Sequence, residues 1–123
     1  HYPPLQGKEP AGAVRAAAHE DINLITLLVA ATEPGLQVRD LSGRWHDVAC
    51  DPGSIAINAG DMLQECTGRY FPSTPHQVVN PAGKNVSRLS IPLFLHARPD
   101  VRLSERYTAR EYLRERLDEI GLL

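Results

Sequence analysis

The sequence predicts a mainly β fold, a sandwich or barrel, ending in a C-terminal α-helix. Three observations carry this. Short β-branched or alternating apolar runs recur along most of the chain. Clusters of Gly, Pro, Asn and Asp separate them at close intervals. Only one segment, near the end, combines helical periodicity with a capping signature. Many short strands with frequent turns, then one helix, is the pattern of a β-sandwich or barrel with a helical appendage.

The elements follow in order. Residues 1–12 are rich in Pro and Gly and are expected as an extended segment and a loop. From Val14 the pattern becomes a strand that runs toward His19. Ile22 to Val29 is β-branched and Leu-rich and is bounded by Glu33-Pro34-Gly35. It reads as a largely buried strand, although periodicity alone also admits a short helix. Leu36–Val38 and Trp45–Val48 flank the polar turn at Asp40–Gly43 and are expected to form a hairpin. Ile55 to Asn58 is a strand broken by Ala59-Gly60-Asp61, and Met62 to Cys66 is short helix or extended chain. His76–Val79 is a strand, Asn80 to Asn85 a loop, and Ser87–His96 a long apolar strand with an edge or bulge at Pro92. Thr108-Ala109-Arg110-Glu111 is a capping box. Leu113, Leu117 and Ile120 follow at helical spacing, and Gly121 is placed to end a helix over 108–120.

At 123 residues the chain suits one domain over 1–123. Hydrophobic residues at 42% and charged residues at 23% suffice for a core. A net charge of -2 and a pI of about 6.2 give no attraction to nucleic acid or an anionic membrane. No apolar run reaches membrane-spanning length. Cys50 and Cys66 make neither a disulfide framework nor zinc-type spacing, so reduced thiols in a cytoplasm are expected. The chain opens on His1 rather than Met, the look of a fragment. Surface left uncovered on a fragment is expected to favour a homo-oligomer.

The chemistry concentrates in three places. In a strand, residues i and i+2 share a face, so His19 and Asp21 would project side by side. His76 lies on a separate strand that a barrel can bring across. Two imidazoles and one carboxylate are the ligand set of a non-haem Fe(II) site, with positions left open for O2 and substrate. A His-x-Asp pair can equally be a hydrogen-bonded pair at a strand end. His1, His46 and His96 lack a comparable arrangement and read as exposed or structural. Arg88 and Ser90 also share a strand face, within an apolar run. A buried Arg needs a carboxylate partner, either internal, as in a salt bridge to Asp61, or on a ligand.

His1-Tyr2-Pro3-Pro4, His19-Glu20-Asp21-Ile22-Asn23-Leu24-Ile25-Thr26-Leu27-Leu28, Gly35-Leu36-Gln37-Val38, Trp45, Asn58-Ala59-Gly60-Asp61, Ser73-Thr74-Pro75-His76 and Arg88-Leu89-Ser90-Ile91-Pro92 occur in this order. Together they resemble the C-terminal catalytic half of the isopenicillin N synthase-like family of 2-oxoglutarate- and Fe(II)-dependent oxygenases. The resemblance covers essentially the whole chain. It implies a double-stranded β-helix, or jelly roll. It implies His19, Asp21 and His76 as iron ligands, and Arg88 and Ser90, helped by the Tyr2 hydroxyl, on the distal carboxylate of 2-oxoglutarate. It implies Asn58–Asp61 as a structural turn.

The reaction implied is hydroxylation, desaturation or ring closure of a small organic substrate with O2, releasing succinate and CO2. An oxidase of the isopenicillin N synthase type, working without 2-oxoglutarate, is the alternative within the class. A truncated, non-catalytic jelly-roll binding module is the alternative outside it. Gln77 stands where the family usually has Arg, and Leu89 where an aromatic is common. The family's N-terminal half, which helps form the substrate pocket, would precede His1.

Overall fold

In a computed structural model the described residues are 1–83 and 85–123. Lys84, inside the expected Asn80–Asn85 loop, lies outside them. The elements run β1 (Ala16–His19), β2 (Ile25–Val29), β3 (Leu36–Arg39), β4 (Trp45–Asp47), β5 (Ile55–Ala59), α1 (Asp61–Cys66), β6 (His76–Val78), β7 (Pro92–Leu95) and α2 (Ala109–Glu119). One sheet has the order β1-β6-β3-β4 and the other β5-β2-β7. The chain is mainly β with a C-terminal helix, as expected.

By compactness the chain divides into two units, His1–His19 with Leu27–Ala56 and Thr74–Leu93, and Glu20–Thr26 with Ile57–Ser73 and Phe94–Leu123. The four-stranded sheet belongs to the first. Its β3–β4 hairpin forms as read, with Val38 opposite His46. Asp40 organises the turn: its carboxylate accepts from the Ser42 and Arg44 amides, the Ser42 hydroxyl and the His46 ring. These donors, Ser42 first, hold the Asp40 carboxyl well below its usual range. His46 is thereby structural. Gln77 donates to Gln37, and Gln37 donates to Asp47, a polar ladder across three strands at the position where the resemblance leads one to expect Arg.

The second unit holds a core of Met62, Leu103, Tyr107, Ala109 and Tyr112, with Ile22, Leu24, Ala97 and Leu113 packed against it. Both arms of the α2 capping box are present. The Glu111 amide donates to the Thr108 hydroxyl, and the Thr108 amide donates to the Glu111 carboxylate. Gly121, at φ +74°, ends the helix, and the Leu122 amide closes on the Leu117 carbonyl. The expected stripe is only partly right. Ala109 and Tyr112 are the buried residues of α2, and Ile120 is exposed, because Tyr112 fills the core from the adjacent helical position.

Two strands begin well inside their expected runs. β2 starts at Ile25, not Ile22, because the Ile22 and Asn23 carbonyls accept from the Met62 amide at the start of α1. The Ser87–His96 run becomes a strand only at Pro92. Pro92 opens β7 rather than interrupting it, which suits a residue with no N–H to give. Arg88 sits before the strand, in an isolated bridge to Tyr2.

Candidate iron and co-substrate site

The two histidines arrive by antiparallel pairing. β1 and β6 place His19 opposite His76, with a register irregularity between Ala16 and His19. Their rings lie 4.3 Å apart, centroid to centroid. His19 Nδ1 lies 2.7 Å from the Ala17 carbonyl oxygen, and His76 Nδ1 lies 2.9 Å from that of Thr74. A carbonyl only accepts, so the proton sits on Nδ1 in both rings. In the neutral ring that leaves the lone pair on Nε2, the tautomer a metal ligand requires.

Asp21 reaches the histidines by a different route from the one expected. β1 ends at His19, so Asp21 leaves the strand and stands in the following loop. Its position comes from the loop's own bonds. The Asp21 carbonyl accepts from the Asp61 amide at 2.8 Å, and the Leu24 carbonyl from the Gly60 amide at 2.9 Å. Gly60 is required for this closeness. A Cβ there would lie 2.8 Å from the Asp21 carbonyl oxygen and nearer still to that of Asn23.

The Asp21 side chain is 8% exposed. Its Oδ2 accepts from the Thr26 hydroxyl at 2.5 Å and from Asn58 Nδ2 at 3.1 Å. Asn23 Nδ2 donates in turn to Thr26 Oγ1 at 2.9 Å. One ligand atom from each of His19, Asp21 and His76 lies within 4.8 Å of the others. Thr26, Asn23 and Asn58 were missed as contributors from sequence. Their only signal was polarity, at two positions in an apolar run and at one position before the Gly60 turn.

Arg88 and Tyr2 are brought together. Each backbone amide donates to the other's carbonyl at 2.8 Å, and the Arg88 guanidinium lies 5.6 Å from the Tyr2 ring centroid. Arg88 is 1% exposed, and its Nε donates to the Glu33 carbonyl at 2.9 Å. Its Nη1 is buried with no partner among the described residues. Burial in surroundings that include Leu28, Leu36 and Ala56 lowers its pKa. The internal partner considered for Arg88 is not Asp61, which faces Arg116 at 4.0 Å. Ser90 is half-buried two residues on. Arg88 and Ser90 do not lie in a regular strand, so the shared-face argument for them does not hold.

Comparison with known proteins shows the family. The model of the 2OG-Fe(II) oxygenase superfamily matches residues 1–97, and the chain belongs to that superfamily. A candidate oxygenase from Shewanella oneidensis is 60% identical, with a TM-score of 0.86 over 99% of this chain and 45% of its own. A 2-oxoglutarate-Fe(II) type oxidoreductase of Aspergillus fumigatus is 37% identical over 81% of this chain. A Neurospora crassa protein, solved at full length in complex with alpha-KG, is 29% identical over 92% of this chain and 40% of its own, with a TM-score of 0.78. These relatives place the chain in the jelly-roll class. The chain spans 29% of the Aspergillus relative and under half of the two solved chains.

The residues fit the two groups for which the superfamily is named. Two Nε2 lone pairs and a carboxylate suit Fe(II). A buried guanidinium with an unpartnered donor suits a carboxylate, which accepts the paired N–H groups that Arg offers.

Proposed function

We propose that this chain carries the metal and co-substrate site of an Fe(II)- and 2-oxoglutarate-dependent oxygenase acting on a small organic substrate by hydroxylation, desaturation or ring closure. His19, Asp21 and His76 hold the iron. Arg88, Ser90 and the Tyr2 hydroxyl hold the distal carboxylate of 2-oxoglutarate. The convergence of one ligand atom from each of the three residues within 4.8 Å carries the reading. When bound, iron would bring O2 and 2-oxoglutarate together, and decarboxylation of 2-oxoglutarate to succinate and CO2 would supply the electrons that O2 needs beyond those of the substrate.

The chain's own residues orient and bind. The Ala17 and Thr74 carbonyls hold the two imidazoles in the tautomer that offers Nε2. Asp21 brings the negative charge. Arg88, fixed through Glu33 and backed by the Tyr2 ring, waits with one donor for an acid. We extend the proposal to one domain over 1–123 and to a cytoplasmic setting, in keeping with free Cys50 and Cys66. It also includes self-association through exposed apolar strand residues such as Ile57 and Leu93.

The test is succinate formation from 2-oxoglutarate by the protein supplied with Fe(II) in air. Succinate should form in the wild type and fall to background in Arg88→Leu. No succinate above the Arg88→Leu level would overturn the reading.

A further inference from the structure

The bonds of Thr26 and Asn58 converge on one atom, and the ligand set alone does not explain why. We infer that Thr26 and Asn58 are positioning residues that fix which oxygen of Asp21 is presented to the metal, with Asn23 setting the direction of the Thr26 hydroxyl. This rests on Asp21 being a ligand.

A hydroxyl has one proton to give. Asn23 Nδ2 occupies the Thr26 oxygen as an acceptor, so the Thr26 proton is left pointing at Asp21. Asn23 cannot turn away easily. It is 1% exposed, and its Nδ2 also donates to the Ile25 carbonyl at 3.2 Å. A carboxylate oxygen offers about two lone-pair sites. Thr26 and Asn58 take both on Oδ2, and Oδ1 becomes the oxygen turned to a cation. The arrangement selects coordination through one oxygen over a two-oxygen grip, which conserves positions on the ion for other ligands.

The backbone supports the same end. Directly after β5, the strand that carries Asn58, the Gly60, Asp61 and Met62 amides donate to carbonyls between Asp21 and Leu24. The structural turn expected over Asn58–Asp61 is tighter than that: Asn58 and Ala59 end β5, and Gly60 alone links them to α1 at Asp61.

The test is anaerobic titration of the protein with Co(II), read by affinity and by the visible ligand-field spectrum. Thr26→Val keeps the shape and loses the hydroxyl. It should weaken Co(II) binding about 10-fold or more and change the band, as Asp21 becomes able to grip with both oxygens. Asn58→Ala should move both readouts in the same direction. Thr26→Ser, which restores the hydroxyl, should recover the wild-type spectrum. If Thr26→Val does not fold, as judged by circular dichroism, the half-buried Asn58 carries the test. Asp21→Ala should abolish Co(II) binding. Wild-type affinity and spectrum in both Thr26→Val and Asn58→Ala, with binding lost in Asp21→Ala, would overturn this inference alone. Unchanged binding in Asp21→Ala would overturn it together with the ligand assignment.

Discussion

Asp21 and Arg88 are both charged and both buried, yet they are treated in opposite ways. The Asp21 carboxylate receives two hydrogen bonds on one oxygen, and its loop is tied down by the amides of the next turn. The Arg88 guanidinium makes one bond through Nε and keeps Nη1 buried without a partner among the described residues. A buried charge that is satisfied holds its place. One that is left short costs stability, and natural structures keep few of these. On the proposed reading, the contrast separates a carboxylate whose bonds the chain itself supplies from a guanidinium left with a donor for 2-oxoglutarate.

The largest expected effect comes from breaking the unfinished side. Arg88→Leu should weaken 2-oxoglutarate binding by about 10- to 100-fold, the equivalent of one charge-assisted hydrogen bond. The apo protein should keep or raise its thermal midpoint, since an uncompensated charge is removed. A large fall in apo stability would show that Arg88 is structural. Breaking the finished side should do the reverse. Gly60→Ala drives a Cβ against the Asp21 and Asn23 carbonyls, and should cost about 1–3 kcal/mol by denaturant titration.

Away from both, Thr108→Ala removes the α2 cap and should cost about 1 kcal/mol, with metal affinity unchanged. The smallest effect is on pH. Bonds from Thr108 hold the Glu111 carboxyl below its usual value. Its folded pKa is depressed, so the cap contributes above the ordinary Glu range and is lost as pH falls through the lowered value. Far-UV circular dichroism should show α2 fraying on acidification in the wild type, and less pH dependence of the helix signal in Thr108→Ala.

These regions also differed in how far the sequence could be read. The capping box of α2 was legible because it is local: four consecutive residues supply both bonds. His19, Asp21 and His76 were legible as residue types in a family order, but the strand argument for Asp21 was not correct. Asp21 is placed by amides from residues 60–62, and no local pattern announces a contact between segments so far apart in sequence. Thr26 and Asn58 were hidden for the same reason. Arg88 was marked by its cost in an apolar run, which is a sequence-level signal. Its neighbour Tyr2 was tied to it only by the resemblance, since the bridge joins segments far apart in sequence. The Ser87–His96 run misled because apolar composition does not say where a strand begins, whereas Pro92 sets the start.

On the proposed reading, three ligands and one guanidinium serve a single pair of bound groups. The most direct measurement is the visible difference spectrum of the anaerobic protein titrated with Fe(II) and 2-oxoglutarate. A weak charge-transfer band should grow in and saturate, persist in Thr108→Ala, and be absent in His76→Ala. No band in the wild type, or an unchanged band in His76→Ala, would contradict that claim.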